Sequence, residues 1–242
     1  MEIQVAVAKI NRYGSLESGD TLEIVERPSG GVSVVLADGR ASGKSAKAIS
    51  SLVVHKVISL LAEGIRDGAA VRAASDLLYT EREGRATAYL NVLSADLETK
   101  TLVIARNNPT PIFIAQRERI ECLSGESVAI GGSRNIRPAI TEIPLEPGTT
   151  VVLYTDGLLQ AGSRIGQGLD ICMLLESLLE DQEPTSQEIA DTILADAIRL
   201  DQGQPNGDMS VVVLRTRSGA RDSIRRMTVR IPVLNNQDTS MA

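Results

Sequence analysis

The stretch Val32-Ser-Val-Val-Leu-Ala-Asp-Gly-Arg-Ala-Ser-Gly-Lys-Ser-Ala46 decides how the chain is interpreted. An apolar run typical of a buried strand ends on Asp38-Gly39, and a turn of small residues then leads into an amphipathic helix. An aspartate between a strand end and a helix start is well placed to bind a cation or to face a phosphate group. The stretch therefore predicts a functional site at the end of this strand.

Three further aspartates occupy comparable places. Asp156 closes the apolar run of residues 151–154. Asp208 precedes the apolar run of residues 211–213, and Asp20 ends a Ser-Gly-Asp turn. Carboxylate oxygens are the ligands that hard divalent cations prefer, so the four acidic turns predict a metal site.

Glycine follows two of these aspartates, Asp38 and Asp156. A glycine lets the backbone approach a ligand closely, so the carbonyl of Gly39 can join the carboxylates as a metal ligand. Asp-Gly is also a common turn dipeptide, and Asp67-Gly68 lies between two predicted helices. One Asp-Gly pair alone predicts only a turn, and the metal hypothesis depends on the combination.

Strand and helix patterns do not alternate along the chain, which disfavours a doubly wound parallel sheet. The order favours packed antiparallel sheets with a helix pair on each outer face. We predict an α+β fold, a four-layer αββα sandwich in which two mainly antiparallel sheets are flanked by helix pairs. The predicted strands cover residues 3–10, 21–26, 31–36, 86–95, 101–106, 111–115, 119–123, 139–143, 150–154 and 209–215, and the predicted helices cover 44–66, 69–79, 168–180 and 186–200.

The chain is predicted to form one domain, residues 1–215, with a C-terminal extension at residues 216–242. Within the extension, the alternating pattern of residues 227–233 predicts an edge strand, and residues 235–242 are expected to fray.

Composition excludes several classes of protein. The 242 residues carry a net charge of −6, only 2% aromatic side chains and no Trp, which argues against a nucleic-acid partner. Cys122 and Cys172 lack metal-ligand spacing and are too few for a disulfide framework, so both are expected as reduced thiols. The start, Met1-Glu-Ile-Gln, resembles no secretion signal, and no apolar run of membrane-spanning length is expected. We predict a cytoplasmic protein with no membrane partner.

Residues 1–215 resemble the metal-dependent protein phosphatases of the type-2C fold, in particular the SpoIIE-like bacterial group of sporulation and sigma-factor regulatory serine phosphatases. Each motif is weak alone, but four occur in the family's order. Leu145-Glu-Pro-Gly148 and the strand pair of residues 86–104 are similar as well. The four motifs are Gly19-Asp20, Asp38-Gly39-Arg-Ala-Ser-Gly43, Thr155-Asp156-Gly157-Leu158 and Asp208-Met-Ser210.

The resemblance implies a serine/threonine phosphatase in which a metal-activated water hydrolyses phosphoserine or phosphothreonine. Asp38 would bridge two Mn²⁺ or Mg²⁺ ions and Gly39 would ligate one through its carbonyl. Asp156 and Asp208 would complete that side, and Asp20 would help to hold the second ion, through water. The implied substrate is a phosphorylated regulatory protein of a stress-response pathway, such as an anti-sigma-factor antagonist.

Three positions depart from the family's pattern. Gly207 stands where relatives commonly carry an acidic residue, often the actual ligand. Arg40 stands where many relatives have a histidine proposed as proton donor, so Arg40 or Lys44 is free to meet the phosphate instead. Residues 105–111 replace the small Ala-Gly turn of the group.

Two other interpretations remain open. Ser42-Gly-Lys-Ser45 follows a strand and precedes a helix as in a nucleotide-binding P-loop, but Asp38 stands where the first glycine of that motif belongs. A phosphatase-like module that binds a signalling partner without catalysis is the second alternative, and Gly207 makes it credible.

Overall fold

The computed structural model describes residues 1–117, 119–180, 183–219 and 223–232. Within these ranges, ten strands form two five-stranded sheets, and every pairing between them is antiparallel. The strands are β1 (Glu2–Ile10), β2 (Asp20–Glu26), β3 (Val32–Gly39), β4 (Ala88–Asp96), β5 (Thr101–Asn107), β6 (Ile112–Gln116), β7 (Arg119–Leu123), β8 (Ala139–Pro144), β9 (Thr150–Tyr154) and β10 (Met209–Arg217). The helices are α1 (Gly43–Ala62), α2 (Asp67–Arg82), α3 (Asp156–Leu159), α4 (Ile171–Glu180) and α5 (Ser186–Leu200).

Three apolar clusters separate four layers. Leu36, Leu93 and Val212 belong to the cluster between the two sheets, whose strand orders are β1-β10-β9-β6-β7 and β2-β3-β4-β5-β8. A second cluster joins α1 and α2 to the β3-containing sheet, and a third joins α4 and α5 to the other sheet. The predicted α+β sandwich with antiparallel sheets and flanking helix pairs is confirmed.

The helix α1 is long and apolar enough to cross a membrane by length and composition, although no run of that kind was expected from the sequence. One such helix is weak evidence for a membrane span. Val53, Val54, Val57 and Leu61 on this helix are fully buried in the cluster beneath α1 and α2. The apolar character of α1 is therefore explained by its packing in the core.

Three features of the C-terminal half differ from expectation. The turn after β9 continues into the short helix α3, which no periodic pattern could predict because it is a single turn long. Residues 227–232 of the expected edge strand form no strand, while residue 233 and the expected frayed residues 235–242 lie outside the described residues. The last strand extends to Arg217, two residues beyond the predicted end of the domain at residue 215.

Register brings the acidic turns to one end of the sandwich. Asp20 and Asp38 are paired across β2 and β3, and Asp38 is paired with Tyr89 across β4. Thr155 donates its backbone N–H to Ser210 at the same end of the other sheet, next to Asp156. The ends of four strands therefore surround one cleft.

The two glycines of the Asp-Gly turns are required by close packing. A Cβ atom at Gly39 would lie 2.1 Å from the carbonyl oxygen of Ala46 in the first turn of α1. A Cβ atom at Gly157 would lie 2.1 Å from the carbonyl oxygen of Asp208. Any larger residue would push apart the segments that carry Asp38, Asp156 and Asp208.

Candidate metal centre

The candidate site is an open cleft of about 830 Å³ between the ends of the two sheets. Its walls come from the loop before β2, the turn between β3 and α1, the start of α3 and the loop before β10. Asp38, Gly39, Asp156 and Asp208 of the sequence-predicted site all line the cleft. Asp20 is buried behind it.

The carboxylate of Asp38 has a buried oxygen without a hydrogen-bond donor. Its Oδ2 atom is buried and accepts no hydrogen bond, and the guanidinium Nη1 of Arg40 lies 3.7 Å away. Burial and the neighbouring charges of Asp20 and Asp156 together raise the pKa of Asp38 to about 7, although Arg40 acts in the opposite direction. A buried carboxylate oxygen without a donor is costly, and a bound cation would remove that cost.

Arg40 joins Asp156 on the opposite wall. Its Nη1 donates to Oδ2 of Asp156 at 2.8 Å, and its guanidinium lies 4.5 Å from the centre of the Tyr89 ring. The backbone N–H of Arg40 donates to the carbonyl of Thr87 on the approach to β4. The sequence singled out Arg40 as a departure from the family pattern but gave no sign of this ion pair, because Asp156 lies 116 positions further along the chain.

Asp20 is engaged in bonds that join the two sheets. Its Oδ2 accepts from the hydroxyl of Ser210 at 2.6 Å and from the hydroxyl of Thr155 at 3.0 Å. Burial raises its pKa to about 6, although these hydrogen bonds act in the opposite direction. The side chain therefore holds the start of β2 against β9 and β10, and its role toward a second metal stays a prediction.

Asp208 is engaged by backbone donors. Oδ1 accepts from the N–H of Arg12 at 2.8 Å, and Oδ2 accepts from the N–H of Gly19 at 2.7 Å. The carboxylate thus fastens the loop of residues 12–19 to the segment before β10. Gly207 brings no side chain to the cleft, and the ligand role of Asp208 stays a prediction.

Asp208→Asn is expected to lower the free energy of unfolding by about 1–3 kcal/mol, because the new amide nitrogen would face a backbone N–H and leave it without an acceptor. Urea unfolding measures this change, with Asp76→Asn on the exposed face of α2 as the control. Because each oxygen of Asp208 already accepts a hydrogen bond and Oδ2 of Asp38 accepts none, we expect Asp208→Asn to weaken Mn²⁺ binding less than Asp38→Asn does. A large loss of Mn²⁺ affinity with unchanged stability would instead identify Asp208 as a ligand.

The residues that face the cleft fit a hydrated divalent cation. Asp38 and Asp156 supply carboxylate oxygens and Gly39 supplies a carbonyl, which already accepts one hydrogen bond from Ala41 at 2.8 Å and keeps a second lone pair. No group of three or more His, Cys, Asp or Glu side chains suited to a metal occurs among the residues that the structure describes. Mg²⁺ is commonly held by one or two carboxylates and several waters, so this donor set suffices for such an ion.

The turn between β3 and α1 does not have the shape of a P-loop. Only residues 40–42 separate β3 from α1, and Lys44 lies exposed in the first turn of the helix. A phosphate-binding loop needs a longer glycine-rich segment whose N–H groups surround the phosphates, and Asp38 would repel them.

Residues 28–217 match the family described as Stage II sporulation protein E. Stage II sporulation protein E of Bacillus subtilis (strain 168) is 23% identical over 214 residues, which cover 88% of this chain and 26% of that protein. The chain spans about a quarter to a third of the length of the curated relatives it matches.

Solved structures share the fold. The PP2C phosphatase domain of SpoIIE from Bacillus subtilis, solved with a fragment of its regulatory domain, has a TM-score of 0.77 at 21% identity and covers 89% of this chain and 63% of that chain. The catalytic domain of the serine/threonine protein phosphatase PstP, solved in complex with 2 manganese ions, has a TM-score of 0.69 at 17% identity. That match covers 89% of this chain and 99% of the PstP domain.

Proposed function

The chain belongs to the family of Stage II sporulation protein E and has the fold of PP2C-type serine/threonine phosphatases, and from this premise we propose that it is a metal-dependent phosphoprotein phosphatase. The observation that carries the proposal is the Oδ2 atom of Asp38, which is buried without a hydrogen-bond donor, on a side chain that lines an open cleft with Asp156 on the other wall. A carboxylate in this state has the chemistry of a cation ligand.

Asp38 and Asp156 hold a Mn²⁺ or Mg²⁺ ion in this proposal, together with the carbonyl of Gly39. A bound ion lowers the pKa of water toward neutrality and neutralises charge on the transferred phosphoryl group. Asp20 and Asp208 fix the positions of the segments that carry these ligands through their bonds to Thr155, Ser210, Arg12 and Gly19. The described lining of the cleft contains neither His nor Cys, so a water molecule is the proposed nucleophile.

We propose a phosphorylated regulatory protein as the substrate, of the type represented by anti-sigma-factor antagonists, acting in the cytoplasm. The shape of the cleft supports a protein substrate. Its mouth is formed by exposed loops, where Tyr13 is 56% exposed and Leu16, between the lining residues Ser15 and Glu17, is fully exposed. Apolar side chains at an open rim suit contact with a protein surface around the phosphorylated residue.

Hydrolysis of a phosphoserine protein is expected to continue in millimolar ATP, because the cleft offers no glycine-rich phosphate loop and few aromatic side chains for a base. Phosphate release from the protein substrate, with and without ATP, measures this selectivity. Lys44→Ala serves as the matched variant and should leave the result unchanged. Tight ATP binding that disappears in Lys44→Ala would overturn the assignment in favour of a nucleotide site.

The second candidate is a phosphatase-like module that binds a signalling partner without catalysis. The ion pair between Arg40 and Asp156 favours it, since a protein cation already neutralises one of the carboxylates that would hold the metal. Metal-dependent phosphate release separates the two functions, because a non-catalytic module would release none.

A further inference from the structure

The four aspartates of the acidic turns differ in the hydrogen bonds that their carboxylates accept. Oδ2 of Asp20 is taken by two hydroxyls, and both oxygens of Asp208 are taken by backbone N–H groups. Asp38 and Asp156 are left, with side chains that are 14% and 26% exposed. Of the four acidic turns, these two are therefore the ones whose carboxylates accept no hydrogen bond from a backbone N–H or a hydroxyl of the described residues.

Arg40 places a positive charge between these two carboxylates. The same atom, Nη1, lies 2.8 Å from Oδ2 of Asp156 and 3.7 Å from Oδ2 of Asp38. The guanidinium thus lies beside the oxygens that a divalent ion would need. Because arginine stays protonated at all ordinary pH values, its charge cannot be removed by losing a proton.

Three contacts keep Arg40 in this position. Its backbone is tied to Thr87, its guanidinium lies over the face of Tyr89, and Asp156 accepts its hydrogen bond. The side chain is nevertheless 40% exposed, so it has room to turn away from Asp156 toward the solvent. Each contact is of modest strength on its own at such exposure.

We propose that Arg40 is an internal counter-cation that competes with the divalent metal for Asp156 and Asp38, and so sets the metal affinity of the cleft. The proposal rests on the metal site assigned above. A divalent ion that bonded to Asp156 would meet the guanidinium at the same oxygen, and like charges at such distances repel strongly inside a protein. Metal therefore binds only when the guanidinium leaves Asp156, and the work of breaking these contacts lowers the affinity.

The test is Mn²⁺ binding by isothermal titration calorimetry to the full chain and to variants, with no substrate present. Arg40→Met keeps much of the aliphatic stem and removes the charge, and we expect its Kd for Mn²⁺ to fall at least about tenfold. Arg40→Lys keeps a positive charge and should stay close to wild type. Tyr89→Leu removes the ring beneath the guanidinium and should tighten binding by a smaller factor.

Arg117→Met is the matched control for the loss of one positive charge. Arg117 follows β6 beside the start of β9, at the opposite end of that strand from Asp156, and its side chain is exposed. Mn²⁺ affinity of this variant should equal that of wild type. A second readout is the melting temperature, since Arg40→Met should be less stable than wild type without metal and gain more from added Mn²⁺.

The outcomes separate this inference from the proposed function. Equal, measurable Mn²⁺ affinity in wild type and Arg40→Met would overturn the competition while leaving the metal site in place. Mn²⁺ binding by Arg40→Met without detectable binding by wild type would support the competition, because Arg40 would then exclude the metal from the cleft. If neither protein bound Mn²⁺ and neither gained stability from it, both the metal site and the competition would be wrong.

Discussion

Asp38→Asn is expected to lower kcat for hydrolysis of an aryl phosphate by at least ~10²-fold, because it removes the charge that holds the metal and its water in place. The substitution preserves the shape of the side chain. It also removes a carboxylate whose pKa burial raises to about 7. A raised carboxyl pKa makes the ionised form destabilising above the unfolded pKa, so Asp38→Asn should unfold no more easily than wild type at pH 8 without metal.

This combination of lost activity and retained stability distinguishes a ligand from a structural residue. Steady-state kinetics and urea unfolding, each with Asp76→Asn as the control on the exposed face of α2, measure the two quantities. Wild-type turnover by Asp38→Asn would mean that Asp38-Gly39 is an ordinary turn. A variant that had lost both activity and stability would argue for a structural role.

Excess EDTA is expected to abolish hydrolysis, and added Mn²⁺ or Mg²⁺ is expected to restore it, because the cleft offers only oxygen ligands and hard cations match such ligands. The effect should be complete, since no Cys lines the described cleft and its two serines, Ser15 and Ser42, have no His in that lining to activate them as nucleophiles. Phosphate release before chelation, after chelation and after metal addition gives the result. Full activity in excess EDTA would refute the metal mechanism.

Much of the fold could be predicted from the sequence, because the signals that specify it are local. Alternating and apolar runs identified strands such as β1, and helical spacing identified α1 and α5. Boundaries were less accurate where a turn is short. The predicted helix of residues 44–66 ends at Ala62, and α2 begins at Asp67 where residue 69 was expected.

The positions of the acidic residues were predicted better than their bonds. Asp38 and Asp156 face one cleft, as the order of the motifs implied. The partners of Asp208 were not predictable, because the N–H groups of Arg12 and Gly19 lie about 190 positions away in the chain and meet it only after folding. The same holds for Asp20, whose hydroxyl partners belong to the other sheet.

Arg40 illustrates the limit of motif comparison. In the turn between β3 and α1, Arg40 stands where many relatives of the resembled family have a histidine. This difference alone does not tell which carboxylate the arginine side chain will contact. Packing of the two sheets against each other brings α3 opposite this turn, and the ion pair with Asp156 follows from that packing. Arg40 bonds to an acid of the site, and the phosphate contact offered for Arg40 or Lys44 stays a prediction.

Manganese location in a crystal tests the central claim most directly, since Mn²⁺ can be identified by its anomalous scattering. Crystals of the full chain soaked in millimolar MnCl₂ should show an anomalous peak about 2 Å from Oδ2 of Asp38, with the guanidinium of Arg40 moved away from Asp156. A map without a peak in the cleft, in which Arg40 still bonds to Asp156, would contradict the account.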